Sequence, residues 1–88
     1  MKAVELIGEQ YPDAMVMEGF DNCIVGVCHG FGSEPVIAYD QAKVLLKHMN
    51  DGMTSEEAVE FFEFNQLGAY VGEGTPVFIE RYDNGKED

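Results

Sequence analysis

Residues 40–66 constrain this chain most strongly, because they carry two helix signatures set three residues apart. Asp40 is a good N-cap, its carboxylate able to accept from the first free backbone N–H groups. Behind it Ala42, Leu45, Leu46 and Met49 fall at i, i+3, i+4 and i+7, the spacing of one helical face. Lys47 and His48 stand in the last turn, where positive charge suits the macrodipole, so His48 reads as a surface residue. Asn50-Asp51-Gly52 stops the helix, with Gly52 able to take the left-handed conformation. Thr54-Ser55-Glu56-Glu57 then fits a capping box, Thr54 as cap and Glu57 at N3. Helices over 40–50 and 54–66, joined by 51–53, make an αα-hairpin.

The second helix divides into unlike sides. At about 100° per residue, Glu56, Glu60 and Glu63 gather on one side, and Ala58, Phe61, Phe62 and Asn65 lie opposite as the expected core face. Phe64 and Leu67 break this division by projecting toward the acidic side. An early helix end that turns both inward is the expectation. The alternative is an exposed Phe64 on an acidic face, a contact for a partner or for self-association.

The flanking segments read as strands and one more helix. Val4, Ile7 and Tyr11 form a short helical stripe over residues 2–10, ended by Tyr11-Pro12. Residues 14–18 and 23–28 are apolar and separated by the turn composition Gly19-Phe20-Asp21-Asn22, which predicts an antiparallel hairpin. Gly26 inside the second run marks a bulge or a close backbone approach. A glycine-rich loop over 29–35 leads to a strand over 36–39, and Pro76 opens a last strand over 77–82. The expected fold is α+β: a small, mainly antiparallel sheet of three to four strands packed on the αα-hairpin, with a short N-terminal helix. Residues 1–82 make one globular domain and 83–88 a polar tail.

Charge and cysteines narrow the function classes. Seventeen acids against five bases give −12, which opposes nucleic acid and anionic membrane as direct partners. No Lys or Arg occurs from Ala3 to Ala42 or from His48 to Glu80, so most carboxylates lack a local basic partner. No apolar run reaches the length of a membrane span. If residues 23–28 form a regular strand, Cys23 and Cys28 face opposite ways, too far apart for a disulfide or a shared metal. Two free thiols fit a reducing cytoplasm. The loop over 29–35 matches neither phosphate-binding fingerprint, and no calcium loop or catalytic carboxylate pair is specified by spacing. The expectation is no cofactor, no metal and no catalytic residue.

Residues 36–79 resemble a family of small uncharacterised proteins found in phages and marine viral sequence. The resemblance rests on Val36-Ile37-Ala38-Tyr39-Asp40, on Asp51-Gly52-Met53-Thr54-Ser55-Glu56-Glu57-Ala58, and on Phe61-Phe62-Glu63-Phe64-Asn65. Gly68-Ala69 and Gly72-Glu73-Gly74-Thr75-Pro76-Val77-Phe78 continue it, and the strand from Cys23 to Gly30 is similar in position. Together these strings span about two-thirds of the chain. The resemblance implies a phage-type accessory protein acting in a bacterial cytoplasm, and carries no activity or functional residue with it.

Three functions fit these constraints. The first is a non-catalytic protein that binds another protein, one with a basic surface, through Glu56, Glu60, Glu63 and Phe64. The second is a small-molecule binder or small enzyme, with a pocket near Tyr39, Asn65, Tyr70 and the 72–75 loop; against it, the Asn65 amide can serve simply to satisfy backbone where the chain leaves the helix. The third is a self-associating assembly protein, a homodimer being plausible for a small domain with a partly uncovered sheet.

Overall fold

The computed structural model describes residues 2–30, 32, 34–67 and 72–82. The elements are α1 (Ala3–Gln10), β1 (Ile24–Cys28), β2 (Val36–Asp40), α2 (Gln41–Asn50), α3 (Ser55–Phe62) and β3 (Val77–Ile79). A single 3-10 turn over Asp21–Cys23 precedes β1, and a π-helical turn over Glu63–Leu67 continues α3. The fold is α+β: among the described residues, three strands in the order β1-β2-β3, with three helices.

The αα-hairpin forms as its end signals require. The Asp40 carboxylate accepts the Lys43 N–H at 3.2 Å. After α2, Gly52 takes φ +115°, its N–H donates to Met49 O, and the Met53 N–H donates to His48 O. These two bonds make a Schellman ending, which satisfies carbonyls that would otherwise lack partners. Thr54 Oγ1 then accepts the Glu57 N–H at 3.1 Å, and Glu57 Oε1 accepts the Thr54 N–H at 3.0 Å.

The face that α2 buries is not the one its apolar spacing indicates. Val44 and His48 are buried and Leu45 is half-buried, whereas Ala42, Leu46 and Met49 are exposed. Gln41, Val44, Leu45 and His48 also fall at i, i+3, i+4 and i+7. That stripe is polar at both ends, so counting apolar residues passes it over. Asp40 fixes the helical phase: it is 4% exposed and bonds both the Lys43 N–H and the Arg81 guanidinium, the latter at 3.1 Å. His48, expected at the surface, is 6% exposed. Its imidazole Nε2 lies 2.9 Å from Gln66 Oε1, and the rings of Phe20 and Phe61 pack edge-on against it. A buried polar ring is tolerated when a partner replaces water in this way.

In the sheet, β1 pairs antiparallel with β2, and β3 joins the other edge of β2 in parallel. The expected antiparallel character therefore holds in the longer pair. The parallel strand follows from the crossover through α2 and α3, since parallel neighbours need a long connection. The register steps from Ile24↔Tyr39 to Gly26↔Ala38, so Val25 is the extra residue of a bulge, as Gly26 indicates. Central β2 is buried at residues 37–40.

Residues 14–18 do not form the expected hairpin with β1. The Met17–Phe20 turn, with Gly19 at φ +88°, runs into the 3-10 turn instead of folding the chain back. The segment is held elsewhere: the Met15 N–H donates to Gly74 O at 3.2 Å, and the Met17 N–H to Tyr39 Oη at 2.7 Å. Gly74 is required by this approach, because a Cβ there would sit 2.7 Å from Asp13 O. The last strand is also shorter than expected, ending at Ile79. The expected polar tail at 83–88 lies outside the described residues.

The core joins all layers. Ile7, Cys23, Ile37, Tyr39, Val44 and Phe62 form one buried cluster, flanked by half-buried Tyr11, Phe20, Leu45 and Phe78. Phe62 stands edge-on to Phe78 with ring centroids 4.9 Å apart, which ties α3 to β3.

Candidate functional site

The outer surface of α3 and the π-helical turn form the most distinctive surface. The capping box fixes the phase of α3, so that Ala58 and Phe62 are buried while Glu56, Glu57 and Glu60 are exposed. Past Phe62 the helix neither stops nor turns its apolar residues inward. It widens into the π-turn, where Gln66 reaches back to His48. Phe64 is left 82% exposed and Leu67 55% exposed, so the early inward turn does not occur. A single π-turn inside a helix often accompanies a functional site. Phe61, expected in the core, is 40% exposed: one side of its ring meets His48. With Met53, Glu57, Glu60, Phe64 and Asn65 it lines a groove of about 350 Å³.

The other expected site residues separate. Glu63 is exposed beside this surface, and Glu56 with Glu60 borders a shallow concavity with Ser55 and Val59. Asn65 is exposed, and its Nδ2 donates to Phe61 O at 3.2 Å, within its own helix rather than toward the chain that follows. Tyr39 is 0% exposed; it is a core residue whose hydroxyl accepts the Met17 N–H, and it lines none of these grooves. Tyr70 lies outside the described residues. Tyr39 therefore does not share a groove with Asn65, which lines one with Thr75 of the 72–75 loop instead.

Two further concavities touch the 72–75 loop, where a pocket is expected from the sequence: Thr75 lines both. Met15, Val16, Met17 and Phe20 face Pro76 and Phe78 across a groove of about 370 Å³, and Asn65 and Gln66 close one side of it. Its sequence signal is the Met-Val-Met run, which strand-like composition disguises. A cleft of about 670 Å³ lies between Gly32 and Glu34 on one side and residues 72–77 on the other. Among the described residues its charged lining groups are Glu34 and Glu73, a poor setting for phosphate.

Among the described residues, three groups depart from ordinary titration. Burial alone would raise the Asp40 carboxyl, but the backbone N–H of Lys43, the Arg81 guanidinium and the backbone N–H of Ala42 outweigh it and hold it below its usual value. Burial pushes the Cys23 thiol up, against the opposing pull of Lys47 and Lys43. Burial also raises Tyr39, partly offset by the hydrogen bond from Met17. Asp40 and Tyr39 are committed to partners within the fold, and Cys23 lines a shallow concavity with Lys43, Leu46 and Lys47.

Cys23 is buried and Cys28 exposed, both as free thiols, although Cys23 belongs to the 3-10 turn rather than to a strand. One thiol equivalent should therefore react rapidly with an aromatic disulfide reagent in the native protein, and the second only with unfolding. Fast reaction of both thiols without denaturant would contradict this placement.

Among the described residues, no cluster of three or more His, Cys, Asp or Glu could hold a metal ion, and no helix is long and apolar enough to cross a membrane. No protein-family model matches the chain, and no curated protein or solved structure is significantly similar to it.

Proposed function

We propose that this chain is a non-catalytic binding protein that holds another protein, one with a basic surface, through the acidic and aromatic outer face of α3 and its π-turn. The observation that carries the reading is Phe64, 82% exposed, in a groove it shares with Phe61, Glu57 and Glu60. An aromatic ring in water surrounded by carboxylates gains little for folding. Against a partner it offers apolar area, while the carboxylates steer a basic surface toward it. The absence of Lys and Arg between His48 and Glu80 leaves that field unneutralised within the segment. The resemblance over residues 36–79 supports a phage-type accessory role in a bacterial cytoplasm.

Paired baits test this reading. The unsubstituted protein and Phe64→Ala are immobilised and exposed to bacterial lysate at low and high salt. A protein held by the first bait, released by salt and not held by the second is the expected result. Equal retention on both baits would overturn the role of Phe64. Fold is controlled in the same experiment, since truncating this exposed ring should change stability by less than about 0.5 kcal/mol.

A further inference from the structure

We propose that the methionine-lined groove beside α3 is the specificity pocket of this binding surface, and that its occupant is an apolar side chain from a basic, amphipathic segment of the partner. This rests on the reading of α3 given above. The groove formed by Met15, Met17, Phe20, Pro76 and Phe78 meets the Phe61–Phe64 groove at Asn65, which lines both. Asn65 stands between the two concavities at the end of α3. Among the described residues, the charged groups lining them are acidic, Glu18 on one and Glu57 and Glu60 on the other, while the Lys47 ammonium lies 5.5 Å from the ring centroid of Phe20. The charge pattern thus selects Lys and Arg on the rim, and the pocket selects an apolar group between them.

The groove is built to accept such a group. Met15 and Val16 are 38% and 46% exposed, between Ala14 and Met17, which pack against the core. The backbone under them is pinned at two points, by Gly74 O and by Tyr39 Oη, so the floor is preformed. Methionine side chains adapt their shape to an entering group and suit a pocket that takes Leu, Met or Phe. A second copy of this chain is a poor occupant, because seventeen acids against five bases make like-charged copies repel.

The test uses the full chain and synthetic peptides of about 15 residues, long enough to form an amphipathic helix. One peptide alternates Leu and Lys at helical spacing, a second replaces every Leu by Ser, and a third replaces every Lys by Glu. Affinity is read by calorimetry at two salt concentrations. The Leu/Lys peptide should bind, weaken with salt, and exceed both others by at least about tenfold, as expected from burying one or two apolar side chains. Met15→Ser combined with Val16→Ser should lower its affinity to about that of the Ser/Lys peptide. Comparing peptides on the unsubstituted protein keeps the test decisive if that double variant misfolds.

Equal binding of the Ser/Lys peptide would overturn the pocket while leaving the acidic binding surface standing. So would Leu/Lys binding that the double variant leaves unchanged. Equal binding of the Leu/Glu peptide would overturn the charge selection, and no binding by any peptide would overturn both readings. Sedimentation as a dimer that the double variant dissociates would assign the groove to a second copy, and the proposal would fall.

Discussion

Replacing Phe62 by alanine should cost about 3–5 kcal/mol, the range for removing a buried aromatic ring. Phe62 is 1% exposed and its ring stands edge-on to Phe78, which in turn lies 6.0 Å from the ring of Tyr39. Its loss opens a cavity where α3, β2 and β3 meet. Total stability at this length is about 4–13 kcal/mol, so the variant loses a large part of it. The melting temperature should fall by more than about 12 °C. Chemical denaturation checks the cost directly, with Phe64→Ala, two positions away, as the control that barely moves. Similar losses for the two variants would mean that the helix is rotated from the phase described, and the exposed face would be wrong.

Asp40→Ala should cost about 2 kcal/mol. Roughly half is the helix cap and the rest a charge-assisted hydrogen bond to Arg81, reduced because that arginine side chain is largely exposed. Asp40→Asn keeps a capping oxygen and should lose less. The ion contributes to pH dependence with a definite sign. The folded carboxyl titrates below its unfolded value of about 3.9, so the folded state holds this proton less tightly. Its stabilisation is complete above that value and disappears as pH falls through the folded one. Protonating the other carboxylates acts the opposite way, by relieving a net charge of −12. The measurement is therefore the stability difference between the unsubstituted protein and the Asp40→Asn variant: present at pH 7, shrinking below about pH 4, and gone once both states are protonated. A difference that stays constant down to about pH 2 would show that Asp40 acts only through shape.

The parts legible in the sequence are those fixed by local chemistry. Asp40, Gly52, Thr54 and Glu57 each satisfy backbone groups within four residues, so the helix ends follow from short strings. Gly26 marks the bulge for the same reason. What is not legible depends on distant partners. His48 is buried because Gln66 and two phenylalanine rings reach it, and spacing along α2 says nothing of them. Residues 14–18 have strand composition, but their hydrogen bonds go to Gly74 and Tyr39. Tyr39 reads as a ligand contact because a tyrosine at a strand end can face either way; the Met17 N–H claims its hydroxyl. For the candidate site, the acidic face and the oddity of Phe64 are readable from helical angles. The π-turn that leaves Phe64 outside is not, since no residue between Glu63 and Leu67 signals it by type.

The most direct test of the α3 surface is a hydrogen-exchange footprint with a protein retained by the unsubstituted bait and lost by Phe64→Ala. Slowed exchange should centre on residues 53–67 and extend to 15–20 and 75–78, with Gly32, Glu34 and strand β1 little changed. Protection centred on β1 or around Glu34, with residues 56–67 exchanging as in the free protein, would contradict the proposal of α3 as the binding face.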